Sequence, residues 1–167
     1  MIKKLAASAI CAFAVSPCLA AHWYMFNNVN TPQGVSFFDG DSVGRDGTVV
    51  TVWLKNVFDP SKVTTKIYSI ASRETFDCAK RVNQTVAMTG YGKDGDVLAS
   101  GDQVGPLKNI IPGSIGEDEL QIICAPGFPS TSPATRQYFP AINNDPIGMA
   151  DIVFKRRAAK QAEPASN

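Results

Sequence analysis

The sequence predicts an α+β domain: an antiparallel β-sheet of about five or six strands, one or two helices packed on it, and one disulfide. Three observations carry this expectation. Between Ala21 and Ser100, β-branched and aromatic runs are separated by turn dipeptides. After Pro112 the pattern changes to capped segments with apolar residues at helical spacing. Two cysteines, Cys78 and Cys124, remain once a leader is removed.

The leader is expected over residues 1–20. Lys3 and Lys4 give a positive start, Leu5 to Val15 an apolar middle, and Cys18-Leu19-Ala20 a small-x-small cleavage site. The apolar run is too short to remain as a membrane helix. Cys18 follows Pro17 and Cys11 follows Ile10, so neither has the small preceding residue that a lipidated cysteine wants. Cleavage after Ala20 leaves about 147 of the 167 residues, enough for one domain with a real core. The exported chain enters an oxidising compartment, the periplasm or the cell surface of a bacterium, where Cys78 and Cys124 pair with each other. Free or redox-active thiols are the alternative, but there is no Cys-x-x-Cys spacing to activate them. Losing Lys3 and Lys4 takes the net charge from +1 to about −1, which argues against a nucleic-acid partner. No second apolar stretch is long enough to span a membrane.

Along residues 21–155, the expected domain, His22 to Asn28 reads as an aromatic strand and Val35 to Phe38 as a second, ending at the turn formers Asp39 and Ser42. Asp46-Gly47 marks a turn into Thr48 to Lys55, the clearest strand. Lys62 to Phe76 reads as one long strand or two. In Val82 to Tyr91, alternation puts Val82, Gln84, Val86 and Met88 on one face. The Gly92 to Gly95 loop then turns the chain into Asp96 to Ser100 as a hairpin. No βαβ rhythm appears, so the sheet is an antiparallel meander. Ser114-Ile-Gly-Glu117 has the form of a capping box, with Leu120, Ile123 and Cys124 at helical spacing behind it and Pro126-Gly127 as a stop. Asp145-Pro146 starts a second helix whose stripe is Ile147, Ala150, Val153 and Phe154. Residues 156–167 form a polar tail. The bridge closes a loop of roughly 45 residues and removes about 4 kcal/mol of unfolded-state entropy in the chain-entropy picture.

Ser36-Phe-Phe-Asp39 with Ser42-Val43, Val50-Thr-Val-Trp53, Phe76-Asp-Cys78-Ala-Lys-Arg81, Gly95-Asp-Val97 with Ser100, and Pro112-Gly-Ser114 to Cys124 occur in that order. In this ordered set the chain resembles the surface-adhesin protein E family of exported bacterial domains. The resemblance implies an antiparallel sheet with packed helix, a Cys78–Cys124 bridge, and an adhesin-like role in contact with host matrix proteins. The founding type of the family is a lipoprotein, whereas this leader lacks a lipobox, and no family binding residue maps onto a motif here.

Catalytic groups are scarce. The lone histidine, His22, lies beside the expected mature N-terminus, a frayed place for a base. A terminal-histidine copper site lacks its second histidine. Asp94, Asp96 and Asp102 lack the alternating ligand pattern of a calcium loop. Glu117, Asp118 and Glu119 sit in a first helical turn, where the dipole explains them. No cofactor, metal or catalytic residue is expected. Two surfaces are candidates for binding. Lys155, Arg156 and Arg157, with Lys160, either contact anionic glycans, lipopolysaccharide or acidic partners, or neutralise a helix C-terminus. Trp53, on the face with Val49, Thr51 and Lys55, either meets a ligand or a homodimer partner or packs in the core. The function expected is a non-enzymatic exported binding domain for host matrix or envelope proteins. The alternatives are a periplasmic envelope protein with an accessory role and, disfavoured by the histidine count, a small hydrolase.

The mature chain is expected to begin at Ala21 without lipid. Intact-mass measurement of the exported protein checks this, and a mass carrying an acyl-modified cysteine contradicts it.

Overall fold

The computed structural model describes residues 21–26, 31, 33–102, 104–130 and 138–162. The expected leader and its cleavage site, and the end of the polar tail, lie outside them. Among the described residues nine strands form one antiparallel sheet. They are β1 (Trp23–Phe26), β2 (Gly34–Asp39), β3 (Gly44–Asp46), β4 (Val49–Phe58), β5 (Ser69–Asp77), β6 (Val82–Tyr91), β7 (Val97–Gly101), β8 (Lys108–Asn109) and β9 (Tyr138–Pro140). Helix α1 (Ile115–Ile123) follows β8, and α2 (Pro146–Ala162) follows β9. The order across the sheet is β7-β6-β5-β4-β2-β1-β9, with β3 beside β4 and β8 beside β6. The meander read from the sequence is therefore present.

The three strands that the sequence did not indicate are two or three residues long, below the length at which alternation is legible. β3 and β2 share one edge of β4, on Val49–Thr51 and on Leu54–Phe58 respectively. Between them lies a single helical turn, Gly40–Ser42, capped by the Asp39 side chain. There the Ser42 Oγ accepts the Trp53 N–H at 2.9 Å, in place of the missing strand partner. Pro140 ends β9 on the outer edge, where a missing N–H is tolerated.

Two expectations are corrected. Lys62 to Tyr68 is loop, and β5 begins only at Ser69. Asp59 holds the start of that loop by accepting from the Ser61 N–H and hydroxyl, while its carbonyl accepts the Lys62 N–H. In β6 a bulge interrupts the alternation: Arg73 faces Ala87 but Glu74 faces Thr85. The extra residue, Val86, reverses the faces beyond it, so Met88 does not share a face with Val82 and Gln84. Tyr91 is thereby turned to the same face as Lys55.

The two helices cover opposite faces of the sheet. On one face Phe26, Phe38, Val50, Val52, Leu54 and Phe76 pack with Leu120, Ile122 and Ile123 of α1 and with Ile110, Phe128 and Tyr138. Phe38 is the hub, with ring centroids of Tyr24, Phe26, Phe128 and Tyr138 4.7–5.1 Å away. On the other face Val35, Phe37, Val57 and Tyr68 meet Ala141 and, from α2, Ala150 and Phe154. The α2 start is as expected: Asp145 Oδ1 accepts the Ile147 and Gly148 N–H groups at 3.0 Å. The helix does not end at Lys155. Residues 156–162, rich in Ala, Arg, Lys and Gln, continue it to Ala162.

At α1 the Ser114 Oγ accepts the Glu117 N–H, as a capping box requires. The Glu117 carboxylate reaches back one residue further than expected, to the Gly113 N–H at 2.6 Å, and also pairs with Arg81. The Cys78–Cys124 disulfide ties the C-cap of α1 to the end of β5. Arg45 donates to the Ile123 carbonyl at 3.0 Å, satisfying one of the open C-terminal acceptors.

Replacing Cys78 or Cys124 by Ser is expected to lower stability by roughly 2–5 kcal/mol, as loss of a native bridge closing a long loop does. Urea unfolding of wild type and variant measures it. An unchanged midpoint contradicts the assigned role.

Candidate functional site

The residues singled out from the sequence fall on separate surfaces. Trp53 faces the α2 side of the sheet, opposite Arg73 in register, but it is only partly buried and belongs to neither apolar cluster. The basic cluster divides along the turns of α2. Lys155, Arg156 and Lys160 are exposed. Arg157 falls on the inward stripe seven residues after Ala150, and its Nη1 donates to the Thr31 and Gly34 carbonyls at 2.8 and 3.4 Å. Arg157 therefore clasps the loop before β2.

Sequence reading missed a groove that runs between α2 and the neighbouring loops. One cleft, of about 300 Å³, is lined by Lys55, Tyr68, Tyr91, Lys93 and Ile147 among others. A second, of about 420 Å³, shares Lys93 and continues along Asp59, Asp151, Phe154 and Lys155. At the seam the Tyr68 hydroxyl donates to Asp151 at 2.5 Å. Burial, and then that bond and the Asp151 charge, push the phenol well above its ordinary range. The Lys55 ammonium sits 5.2 Å from the Trp23 ring centre and 5.7 Å from that of Tyr91. Burial pulls its pKa down, and the Asp145 charge offsets part of that. The only signal in the sequence was a lysine in the strand that alternates most clearly.

The other face carries an acidic pair. Glu74 is buried on β5 and accepts from the Thr85 hydroxyl at 3.0 and 3.2 Å. Burial raises its pKa, against the pull of hydrogen bonds from Thr85 and Ser72 and of the Lys108 charge. Glu119 was expected to act on the helix dipole. Instead burial, followed by the charges of Glu74 and Asp118, lifts it from 4.5 to about 7. Neither carboxylate lines the neighbouring cleft of about 590 Å³, whose walls include Thr85, Met88, Asp102 and Lys108.

His22 is not frayed. Its N–H donates to Asp39 and its Nδ1 lies 2.5 Å from Asp41 Oδ2. The nearby Ser42 hydroxyl is committed, donating to the Asp39 carbonyl while accepting from Trp53. Asp96 serves the hairpin turn, its carbonyl accepting the Gly92 N–H at 2.8 Å. Among the described residues no group of three or more His, Cys, Asp or Glu side chains is placed to hold a metal ion. Nor, among them, is any helix long and apolar enough to cross a membrane.

A family model described as surface-adhesin protein E matches residues 23–125, from the start of β1 to the residue after Cys124. The chain belongs to the surface-adhesin protein E family. The match takes in the stapled sheet and α1, while β9 and α2 lie beyond it. No curated protein and no solved structure matches the chain. Membership makes this an adhesin-like protein of a family exported to the bacterial surface, with a binding role.

The acidic pair has a consequence for stability. Glu119 has a folded pKa above its unfolded one, so its ionisation opposes folding. Its contribution is undiminished below about pH 4.5, falls as pH rises towards 7, and is level above that. Glu119→Gln is expected to remove this slope and to stabilise the domain by about 1–3 kcal/mol above pH 7, with little change near pH 4. Urea unfolding across pH 4–8 measures it, and parallel curves for the two proteins contradict it.

Proposed function

We propose that this chain is an exported, non-enzymatic binding domain that acts on host matrix or envelope components by surface complementarity. The family match across the stapled sheet carries this reading. The state of the reactive side chains supports it. The described cysteines are bridged, the single histidine is paired with Asp41, and the adjacent serine hydroxyl has both its partners. The contact surface is the α2 side of the sheet. Trp53, partly buried beside Arg73, supplies an aromatic anchor, and the exposed Lys155, Arg156 and Lys160 supply cations along α2. Arg157 contributes by holding the loop before β2 in place. A second copy of the chain is a further partner for the Trp53 face. Export proceeds through residues 1–20, and display at the surface separates this reading from a periplasmic accessory role.

On intact cells, added protease is expected to remove the protein; full protection places it in the periplasm and overturns surface display. Trp53→Ala is expected to keep the far-ultraviolet spectrum and cooperative unfolding of wild type while losing roughly tenfold or more in binding to immobilised matrix proteins, as loss of a central anchor does. Unfolding of this variant assigns Trp53 to the core instead. Arg156→Ala is expected to weaken binding chiefly at low salt, where exposed charges are least screened.

A further inference from the structure

The cleft beneath the N-terminal half of α2 brings two lysines to one cavity. Lys55 comes from the middle of the sheet and Lys93 from the β6–β7 turn, and both line the same space of about 300 Å³. That volume is at the lower end of ligand-sized pockets, roughly 300–1,000 Å³. None of the described carboxylates lies within 4.0 Å of the Lys55 ammonium. Its nearest compensation is the faces of Trp23 and Tyr91, and Asp145 acts on it only through its field. An anion seated in this cleft would have both ammonium groups on its walls and would supply the charge partner that Lys55 lacks. Burial already holds Lys55 below the ordinary lysine range, so an anion there has more to gain than one at an exposed lysine.

The walls narrow the class of anion. The Tyr91 ring and Ile147 give flat apolar surface, suited to the C–H face of a sugar ring. The adjoining cleft of about 420 Å³ continues past Lys93 to Asp59 and Asp151. Asp59 and Asp151 there can accept hydrogen bonds from neutral hydroxyls, and Lys155 shares the same wall. A glycan alternating acidic and neutral sugars offers an anion to Lys55 and Lys93 and hydroxyls to Asp59 and Asp151.

We propose that the Lys55–Lys93 cleft binds the anionic group, carboxylate or sulfate, of an acidic sugar residue stacked on Tyr91, with the neutral neighbouring sugar lying over Asp59 and Asp151. The site draws on both parts of the chain, since Lys55, Tyr91 and Lys93 fall inside the family match and Ile147 and Asp151 outside it. The inference deepens the reading of the domain as a binding protein, but its test uses purified protein and is independent of where that protein is displayed.

The test is titration of the purified mature chain, followed by amide chemical shifts and calorimetry. The probes are a hyaluronan tetrasaccharide, a heparin-derived tetrasaccharide and the neutral chitotetraose. Saturable binding of either acidic probe, with shifts centred on residues 91–95 and 147–151, is expected, and chitotetraose is expected not to bind. Hyaluronan binding identifies the carboxylate as sufficient; binding of the heparin fragment alone identifies sulfate. Lys55→Met keeps the apolar stem of the side chain and is expected to weaken binding tenfold or more. Lys93→Glu, in an exposed turn, is expected to abolish binding without affecting the fold. Absence of binding by both acidic probes, equal binding of chitotetraose, or undiminished binding by Lys93→Glu overturns the proposal.

Discussion

The central strands are apolar on both sides, and the rest of the structure answers to that constraint. Phe37 and Phe38 are consecutive on β2, point to opposite faces, and are both fully buried. Every residue of β2 is buried. A sheet with one dry face is satisfied by one cover, but this sheet needs two. Burying the large side chains on either face stabilises the domain by about 1.5–3 kcal/mol each.

The two covers are built differently. Helix α1 has nine residues and an apolar stripe of three, too little to hold a helix of that length by packing alone. The disulfide at its C-cap, the Arg45 bond to its last carbonyl and the Arg81–Glu117 pair at its start compensate. Helix α2 has seventeen residues and is held by Ala150, Phe154 and the Arg157 clasp without a covalent link. The family match ends just after the stapled helix. The covers thus divide into a stapled helix inside the match and an unstapled one beyond it, while Trp53, Lys55, Tyr91 and Lys93 on the α2 side of the sheet fall inside. That division also explains why an ionisable pair such as Glu74 and Glu119 is tolerated on the α1 side: the covalent tie holds the helix over a carboxylate whose ionisation opposes the packing.

Much of this was legible in the sequence where the signal is local. Alternation in Thr48–Lys55 gave the faces of β4 correctly, Ser114 and Asp145-Pro146 marked both helix starts, and the cysteine count gave the bridge. Signals spread across the chain were not legible. The bulge at Val86 leaves no mark in composition, yet it turns Tyr91 towards Lys55 and so creates the cleft wall. The Glu74–Glu119 approach joins residues of a strand and a helix that nothing in their own segments connects. The role of Arg157 depends on its position around a helix that continues beyond Lys155, so a basic cluster that reads as one patch separates into a clasp and three exposed cations.

If the covers are independent, releasing one should leave the other in place. Amide hydrogen exchange on the mature chain, oxidised and after reduction of the Cys78–Cys124 bridge, tests this most directly. The account predicts that reduction exposes amides of α1 and the segment 110–125, while β4, β5 and α2 keep their protection. Loss of protection in α2 and the central strands together with α1 would show one cooperative unit and contradict the division between a stapled face and a separately held one.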